Sequence, residues 1–146
     1  MTLKRLRLSL KRDEALNVTR VSIRKDRLVY ILVTDKKLSY PNARSRIAYI
    51  GTTKKGLSRI SQSVAARADA ILKLHGVRSF QARVVTCKRR RNVKTWYKLE
   101  RAMLITFKEL YGAVPTCNSK GSKMRKTDEF KYFSSARVRT ILKDLA

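Results

Sequence analysis

The chain has 146 residues and carries 36 Lys and Arg residues against only 10 Asp and Glu residues, which gives a formal net charge of +26. Because 43% of its residues are hydrophobic, the composition excludes a disordered polycation and favours one compact domain with a real core. A surface this basic repels itself, and a nucleic acid is the favoured partner because each neutralised phosphate releases a counterion.

Other classes of partner and site fit the sequence less well. Binding to an anionic membrane surface would require a basic amphipathic helix with a broad apolar face or a lipidation signal, and neither is evident. Cys87 and Cys117 lie far apart and belong to no Cys/His cluster, so a zinc site is not expected. No apolar run is long enough for a membrane span, and the first residues lack the apolar centre of a secretion signal. We therefore expect a cytoplasmic protein with reduced cysteines and no membrane partner, and the Arg-rich start leaves organellar targeting open.

Residues 1–26 form a basic arm in which basic and aliphatic residues alternate. Charge runs of this kind are usually solvated tails, whereas the aliphatic residues at 16–23 would also suit a short helix or strand. The sequence leaves both alternatives open.

Two strands follow the arm. The β-branched and aromatic run at 28–33 predicts a buried strand, and the run at 47–50 predicts a second one that stops at Gly51. Between them, residues 35–45 contain Pro41 and Asn42, which suit a long loop. Because the two strands are adjacent and joined by a polar segment, we expect an antiparallel hairpin.

A helix is predicted next, over residues 57–75, and Gly76 is expected to end it. Its apolar positions recur largely on one face, and they are Leu57, Ile60, Val64, Ile71 and Leu74. Residues 77–87 then predict a third strand, and the basic run at 88–91 predicts a loop.

The last third of the chain predicts a second long helix and a short tail. The helix spans residues 93–111 and ends at Gly112, and its apolar stripe consists of Trp96, Leu99, Met103, Leu104, Phe107 and Leu110. Residues 130–133 suggest a strand, after which Ser134 or Ser135 is expected to cap a helix that runs to Leu145.

These elements predict an α/β (α+β) fold with a small three-stranded mixed sheet flanked by helices, in the order β-β-α-β-α. We divide the chain into the basic arm at 1–26, a central domain at 27–126 and an extension at 127–146 that packs on that domain.

Glu100 differs from the other acidic residues because its neighbours in the sequence are mainly apolar. It lies inside the apolar part of the second predicted helix, next to Leu99 and close to Ala102 and Met103. A carboxylate beside an apolar face costs free energy unless it is paired, protonated or bound to a metal. A salt bridge to a nearby Arg and a metal-binding role are therefore both open.

The predicted elements carry polar residues in an order that resembles the GIY-YIG nuclease family. They are Tyr30 in the first strand, Tyr49 with Ile50 and Gly51 at the end of the second, Arg59 on the first helix, Glu100 on the second helix and Asn118 in the loop after it. The resemblance covers roughly residues 27–120, and it implies a GIY-YIG-type core and metal-dependent endonucleolytic cleavage of DNA.

The resemblance also implies a role for each of these residues. Tyr49 is expected to activate the attacking water, and Tyr30 to order that water or the phosphate. Arg59 is expected to neutralise charge on the scissile phosphate, and Glu100 to bind one divalent ion, Mg²⁺ or Mn²⁺. Asn118 is expected to support the site.

A free phenol has a pKa near 10, so Tyr49 needs nearby positive charge to act as a base. We expect Lys54, Lys55 and Arg59 to lower its pKa. Two departures from the family pattern favour caution about the chemistry. The first motif reads Leu-Val-Tyr and lacks the family's Gly and Ile, and Ser63 stands where many members carry His or Tyr.

Basic residues outside this set are expected to contact phosphates without reading sequence. The predicted nucleic-acid-binding residues are Lys54, Lys55, Lys88, Arg89, Arg90, Arg91, Lys120, Lys123 and Arg125. The expected substrate is double-stranded DNA, and a homodimer is left open. The alternative function is a non-catalytic nucleic-acid-binding protein, either a degenerate family member or a basic component of an RNA particle.

Overall fold

The computed structural model describes residues 4–12, 27–118 and 125–146. These residues form, in chain order, β1 (Leu28–Ser39), β2 (Arg44–Thr53), α1 (Gly56–Leu72), β3 (Phe80–Val85), α2 (Thr95–Tyr111), α3 (Glu129–Tyr132) and α4 (Ser135–Leu145). Residues 4–12 of the arm are exposed and contain no helix or strand, whereas the segment at 16–23 lies outside the described residues.

The three strands form one sheet in the order β2-β1-β3. β1 occupies the centre because its first six residues are apolar on both sides, and each of them is at most 5% exposed. The predicted β1–β2 hairpin is confirmed. The predicted mixed sheet is wrong, because β1 pairs antiparallel with β3 as well. Since β2 and β3 run in the same direction but lie on opposite sides of β1, no parallel pair forms between them.

The hairpin is longer than its apolar pattern predicts. β1 continues through Asp35 to Ser39, and β2 already begins at Arg44, so the long loop expected at 35–45 shrinks to residues 40–43. In this outer part Leu38 pairs with Ser45, and the side chains are mostly exposed. Backbone hydrogen bonds between the strands, which impose no hydrophobic pattern, therefore extend the ladder.

Boundaries of the other elements also differ from the sequence pattern. α1 ends at Leu72 and β3 begins at Phe80, so both are shorter than expected. α2 ends at Gly112 as predicted, with φ 86°. The strand predicted at 130–133 is wrong, because Glu129–Tyr132 form a single helical turn. The cap on α4 is confirmed, since the Ser134 hydroxyl accepts a hydrogen bond from the Arg137 amide.

Two hydrophobic layers cover the sheet. On one face, Val29 and Ile31 pack with Leu99 and Phe107 of α2 and with Leu142 of α4. On the other face, the core is formed by α1 together with the alternate residues of β1, and its buried members are Leu28, Tyr30, Leu32, Ala48, Ile60, Ile71 and Val77. No helix in the described part of the chain has the length and apolar character needed to cross a membrane.

A β-bulge in β2 decides which face its tyrosine occupies. Leu32 pairs with Tyr49 and Val33 pairs with Ile47, so Ala48 is the extra residue between them. The alternation of side chains therefore slips by one position. Ile47 packs in the α2 layer, whereas Tyr49 packs in the α1 layer, on the same face as Tyr30.

Candidate active site and nucleic-acid interface

The two strand tyrosines meet at Gly51. Their ring centroids are 5.8 Å apart, and Tyr30 lies directly opposite Gly51 in the β1–β2 register. A Cβ atom at Gly51 would lie 2.5 Å from Cε1 of Tyr49 and 2.8 Å from the hydroxyl oxygen of Tyr30. The position therefore requires glycine because of this close approach.

Tyr49 carries a cation on its ring. The guanidinium carbon of Arg67 lies 3.8 Å from the ring centroid of Tyr49. Burial raises the pKa of Tyr49 to about 12, and the neighbouring Tyr30 and Glu100 add to this increase while Arg67 opposes it. The expected lowering of this pKa is therefore wrong. Lys54 and Lys55 are exposed, so their charges are screened by solvent and do not offset the loss of hydration.

Glu100 lies on α2, partly buried, and acts electrostatically on Tyr49. Burial raises the pKa of Glu100 to about 7, against a smaller opposing effect of Arg101. The guanidinium of Arg101 is itself bound to Glu129, with an N–O distance of 2.9 Å. Within the described residues, no group donates a hydrogen bond to the Glu100 carboxylate or forms an ion pair with it. The salt bridge considered as an alternative for Glu100 is thus not formed there.

Asn118 fixes the backbone beside the tyrosines. Its side-chain oxygen accepts a hydrogen bond from the Ile50 amide at 3.1 Å, and its side-chain nitrogen donates to the Ile50 carbonyl at 2.9 Å. One residue earlier, the Cys117 amide donates to the Ala48 carbonyl at 2.9 Å. These contacts occupy the outer edge of β2 at the bulge, and they hold the segment that carries Tyr49 and Gly51.

Arg59 is the one predicted catalytic residue that the structure does not bring to this cluster. Its exposed guanidinium donates a hydrogen bond to Gln62, and among the described contacts it has none with either tyrosine. The cation that does contact Tyr49 is Arg67, which the sequence analysis missed. The sequence contains one signal that could have identified Arg67. Arg59, Ser63 and Arg67 follow one another at intervals of four residues, so they lie near one another on the surface of a helix.

Several basic segments leave the sheet at the end where these residues gather. Leu28 at the start of β1 pairs with Thr53 at the end of β2, and Val29 pairs with Val85 at the end of β3. The residue before β1, the β2–α1 turn and the β3–α2 loop therefore start from the same end of the sheet. Their basic residues are Arg27, Lys54, Lys55, Lys88, Arg89, Arg90, Arg91 and Lys94.

Part of this end forms a basic groove, lined by Arg27, Arg89, Arg90, Arg91, Asn92, Val93, Lys94 and Trp96. The guanidinium carbon of Arg27 lies 5.0 Å from the ring centroid of Trp96, and the Nε of Arg27 is buried without a hydrogen-bond partner. Asn92 has a φ of 61°, in a turn closed by a bridge between Arg90 and Val93. Among the described residues, the lining of the groove contains five Arg or Lys side chains and no carboxylate, so the groove is suited to an anion.

The remaining predicted residues divide into two groups. Lys120 and Lys123 lie outside the described residues. Arg125 is exposed, and its carbonyl accepts a hydrogen bond from Arg101 at 2.9 Å. Cys87 and Cys117 are not joined by a disulfide, and the described ranges contain no cluster of three or more His, Cys, Asp or Glu side chains that could hold a metal.

Known proteins give no further indication of what this site does. Comparison with protein-family models, curated proteins and solved structures found no match to this chain. The chemistry of the tyrosine pair, of Glu100 and of the basic end of the sheet therefore has to indicate the function.

Proposed function

We propose that the chain is a metal-dependent endonuclease that hydrolyses phosphodiester bonds of double-stranded DNA. The observation that carries this proposal is the Glu100 carboxylate, which is partly buried, acts electrostatically on Tyr49 of the Tyr30–Tyr49 pair and has no hydrogen-bond or ion-pair partner among the described residues. The choice of DNA over RNA comes from the resemblance to the GIY-YIG family.

The reaction adds one water across one P–O ester bond. The water oxygen forms a new bond to phosphorus, its proton passes to an acceptor, and the departing ester oxygen leaves with a proton. Such a reaction needs a group that orients the water and positive charge where the phosphate becomes more negative. Tyr30 and Tyr49 supply hydroxyl groups at one point of the sheet, and Arg67 supplies a cation there.

Glu100 fits a divalent cation. Mg²⁺ is commonly bound by only one or two carboxylates and keeps several waters, so a single unpaired carboxylate is an adequate anchor. When bound there, such an ion supplies Lewis-acid stabilisation of the phosphate oxygens and lowers the pKa of its water. The protein's contribution is a carboxylate on α2 that acts electrostatically on Tyr49.

Tyr49 is protonated at neutral pH in the protein alone, since its pKa is about 12. In that form its hydroxyl orients a water by hydrogen bonding. Because the negative charge of Glu100 is one of the causes of this raised pKa, neutralising that charge lowers the pKa of Tyr49 and makes its deprotonated form easier to reach near neutral pH. Metal-bound and metal-free protein would therefore differ in the pKa of Tyr49.

The second candidate is a non-catalytic nucleic-acid-binding protein, either a degenerate GIY-YIG domain or a basic component of an RNA particle. Two observations favour it: the raised pKa of Tyr49, and the position of Arg59 away from the tyrosines. Such a protein would use the basic end of the sheet and need neither a metal nor Glu100.

Nicking of supercoiled plasmid tests the proposal, with Mg²⁺, Mn²⁺ or EDTA. Wild-type protein should cleave only with metal. Glu100→Gln should lower the rate on the order of 1000-fold, because several kcal/mol of charge stabilisation depend on the bound ion, while DNA binding persists. Glu109→Gln is the matched control, since Glu109 is an α2 carboxylate already paired with Lys126. Tight binding without cleavage under any metal would favour the second candidate.

A further inference from the structure

Arg67 is placed in an unusual way for a surface arginine of α1. It is partly buried, and its guanidinium lies over the ring of Tyr49 instead of extending into solvent. Its charge acts on two neighbouring groups, lowering the pKa of Tyr49 and of the Cys117 thiol against larger effects of burial. The side chain is therefore directed toward the candidate site.

The hydrogen-bond donors of Arg67 have no partner in the part of the chain that the structure describes. A guanidinium has five N–H donors, and a partly buried one is normally paired with a carboxylate or with carbonyl groups. Among the described residues, no hydrogen bond or ion pair to Arg67 is formed, and its guanidinium lies over the ring of Tyr49. Contact with a ring does not use the N–H donors, so they are available to an anion.

We propose that Arg67 binds an oxygen of the scissile phosphate, with the Tyr49 ring as the platform that holds its guanidinium in place. This inference rests on the proposed nuclease function and names the phosphate-binding residue of that site. The fork of an arginine can contact two phosphate oxygens at once, and stacking on an aromatic ring fixes the plane of the fork. The role that the resemblance gives to Arg59 passes to Arg67.

The position of Arg59 is consistent with giving the phosphate-binding role to Arg67. Its guanidinium is exposed, and one of its donors is already used by Gln62. A cation at that place adds to the general attraction of the protein for DNA. Arg67, two turns further along α1, lies against the tyrosine that would orient the water.

The test compares Arg67→Met, Arg67→Lys and Arg59→Met, with Arg137→Met on α4 as the control for loss of one exposed positive charge. Single-turnover cleavage rate and duplex Kd are measured for variants whose thermal unfolding matches wild type. Arg67→Met should lower the rate about 100-fold or more, as loss of one transition-state donor does. Its duplex Kd should change by less than about 3-fold, because one phosphate contact among many is lost. Arg67→Lys should recover part of the rate, because it keeps the charge but not the fork.

Cleavage by Arg67→Met at the wild-type rate would overturn the proposal. So would a loss confined to Kd, which would make Arg67 one more general DNA contact. If Arg67→Met does not fold, Arg67→Lys takes its place, and a rate equal to wild type then contradicts the need for the planar fork.

A second measurement separates this inference from the nuclease proposal. Inorganic phosphate is titrated into wild-type protein and into Arg67→Lys, and the arginine Nε–H signals are followed by NMR. A shift of the signal that is missing in Arg67→Lys shows an anion site at Arg67, even if wild-type protein cleaves nothing. Absence of any shift would count against the site even if cleavage is observed.

Discussion

Gly51 shows how a single residue can set the geometry of the candidate site. Its missing side chain leaves the space in which Tyr30 and Tyr49 approach each other, and its backbone is held through Ile50 by Asn118. Tyr30, Tyr49 and Asn118 all contact either Ile50 or Gly51, which are consecutive residues of β2. A small displacement of these two residues would therefore move both tyrosine hydroxyls.

We expect Gly51→Ala to damage both stability and cleavage. Its methyl group would lie 2.5 Å from the Tyr49 ring, so one of the tyrosines must move. Overpacking of this kind costs about 1–3 kcal/mol, which thermal or denaturant unfolding measures. Cleavage should fall more than DNA binding does. A variant with wild-type stability and rate would show that the two rings tolerate displacement.

Glu100 should make the metal-free protein less stable as the pH rises. The fold raises the pKa of Glu100 from 4.5 to about 7, so it favours the protonated carboxyl. Stability is therefore greatest below the unfolded pKa and decreases as the pH rises from 4.5 through 7. Glu100→Gln removes the charge, and at pH 8 in EDTA it should be more stable than wild type by on the order of 2 kcal/mol.

The matched control for that experiment is Glu109→Gln, which should gain nothing at pH 8 because Glu109 is already paired. A Glu100→Gln variant that is less stable than wild type at pH 8 would mean that the carboxylate has a favourable partner. Guanidinium or urea unfolding at pH 5 and pH 8 gives both comparisons.

At the scale of elements, α3 depends on a buried ion pair. Glu129 is 1% exposed and accepts hydrogen bonds from Arg101 of α2 at 2.9 Å and from the Thr127 amide at 2.8 Å. Burial alone would raise the pKa of Glu129, but these hydrogen bonds outweigh it and lower the pKa to about 2. This pair explains why residues 129–132 form a helical turn at α2 although their aromatic pattern suggested a strand.

Breaking this pair should be costly. Arg101→Met leaves the Glu129 carboxylate buried without its counter-ion, which costs about 3 kcal/mol or more. Because the pKa of Glu129 is lowered from 4.5, its contribution is full above that pH and is lost as the pH falls toward about 2. Stability of wild type and Arg101→Met should thus converge in strong acid. Lys73→Met, which breaks the exposed pair with Asp69, is the control and should change stability by less than about 1 kcal/mol.

At the scale of the whole molecule, the net charge of +26 cannot by itself place a DNA-binding surface, because basic residues occur along the whole chain. The proposed location follows from topology, since the residue before β1, the β2–α1 turn and the β3–α2 loop share one end of the sheet. The basic groove around Arg27 and Trp96 lies at that end.

We expect Arg27→Gln to weaken binding to all DNA sequences alike, by about 3- to 10-fold, and to reduce the slope of log Kd against log salt by about 1. The control is Arg44→Gln, at the hairpin turn on the opposite end of the sheet. Fluorescence anisotropy over a range of salt concentrations measures both. Equal losses in the two variants would mean that DNA is attracted by the field of the whole protein, without a preferred end.

The sequence by itself determined the order of the main elements and the layering of the core. The apolar run from Leu28 to Val33 marked a strand buried on both faces, and Gly112 marked the end of α2. These are local properties, because burial and capping impose a period or a residue type on neighbouring positions. Local sequence patterns did not predict the polar continuation of β1 to Ser39, because an exposed part of a strand needs no hydrophobic pattern.

Only the tertiary structure decided which side chains meet. Tyr49 reaches the face of Tyr30 because a bulge at Ala48 shifts the alternation, and a bulge has no periodic signature. Arg67 and not Arg59 contacts Tyr49, since the rotation of α1 against the sheet fixes which helical position faces it. The pKa of Tyr49 rises although the chain around it is basic, because burial is a property of the packed molecule and solvent screens the exposed lysines.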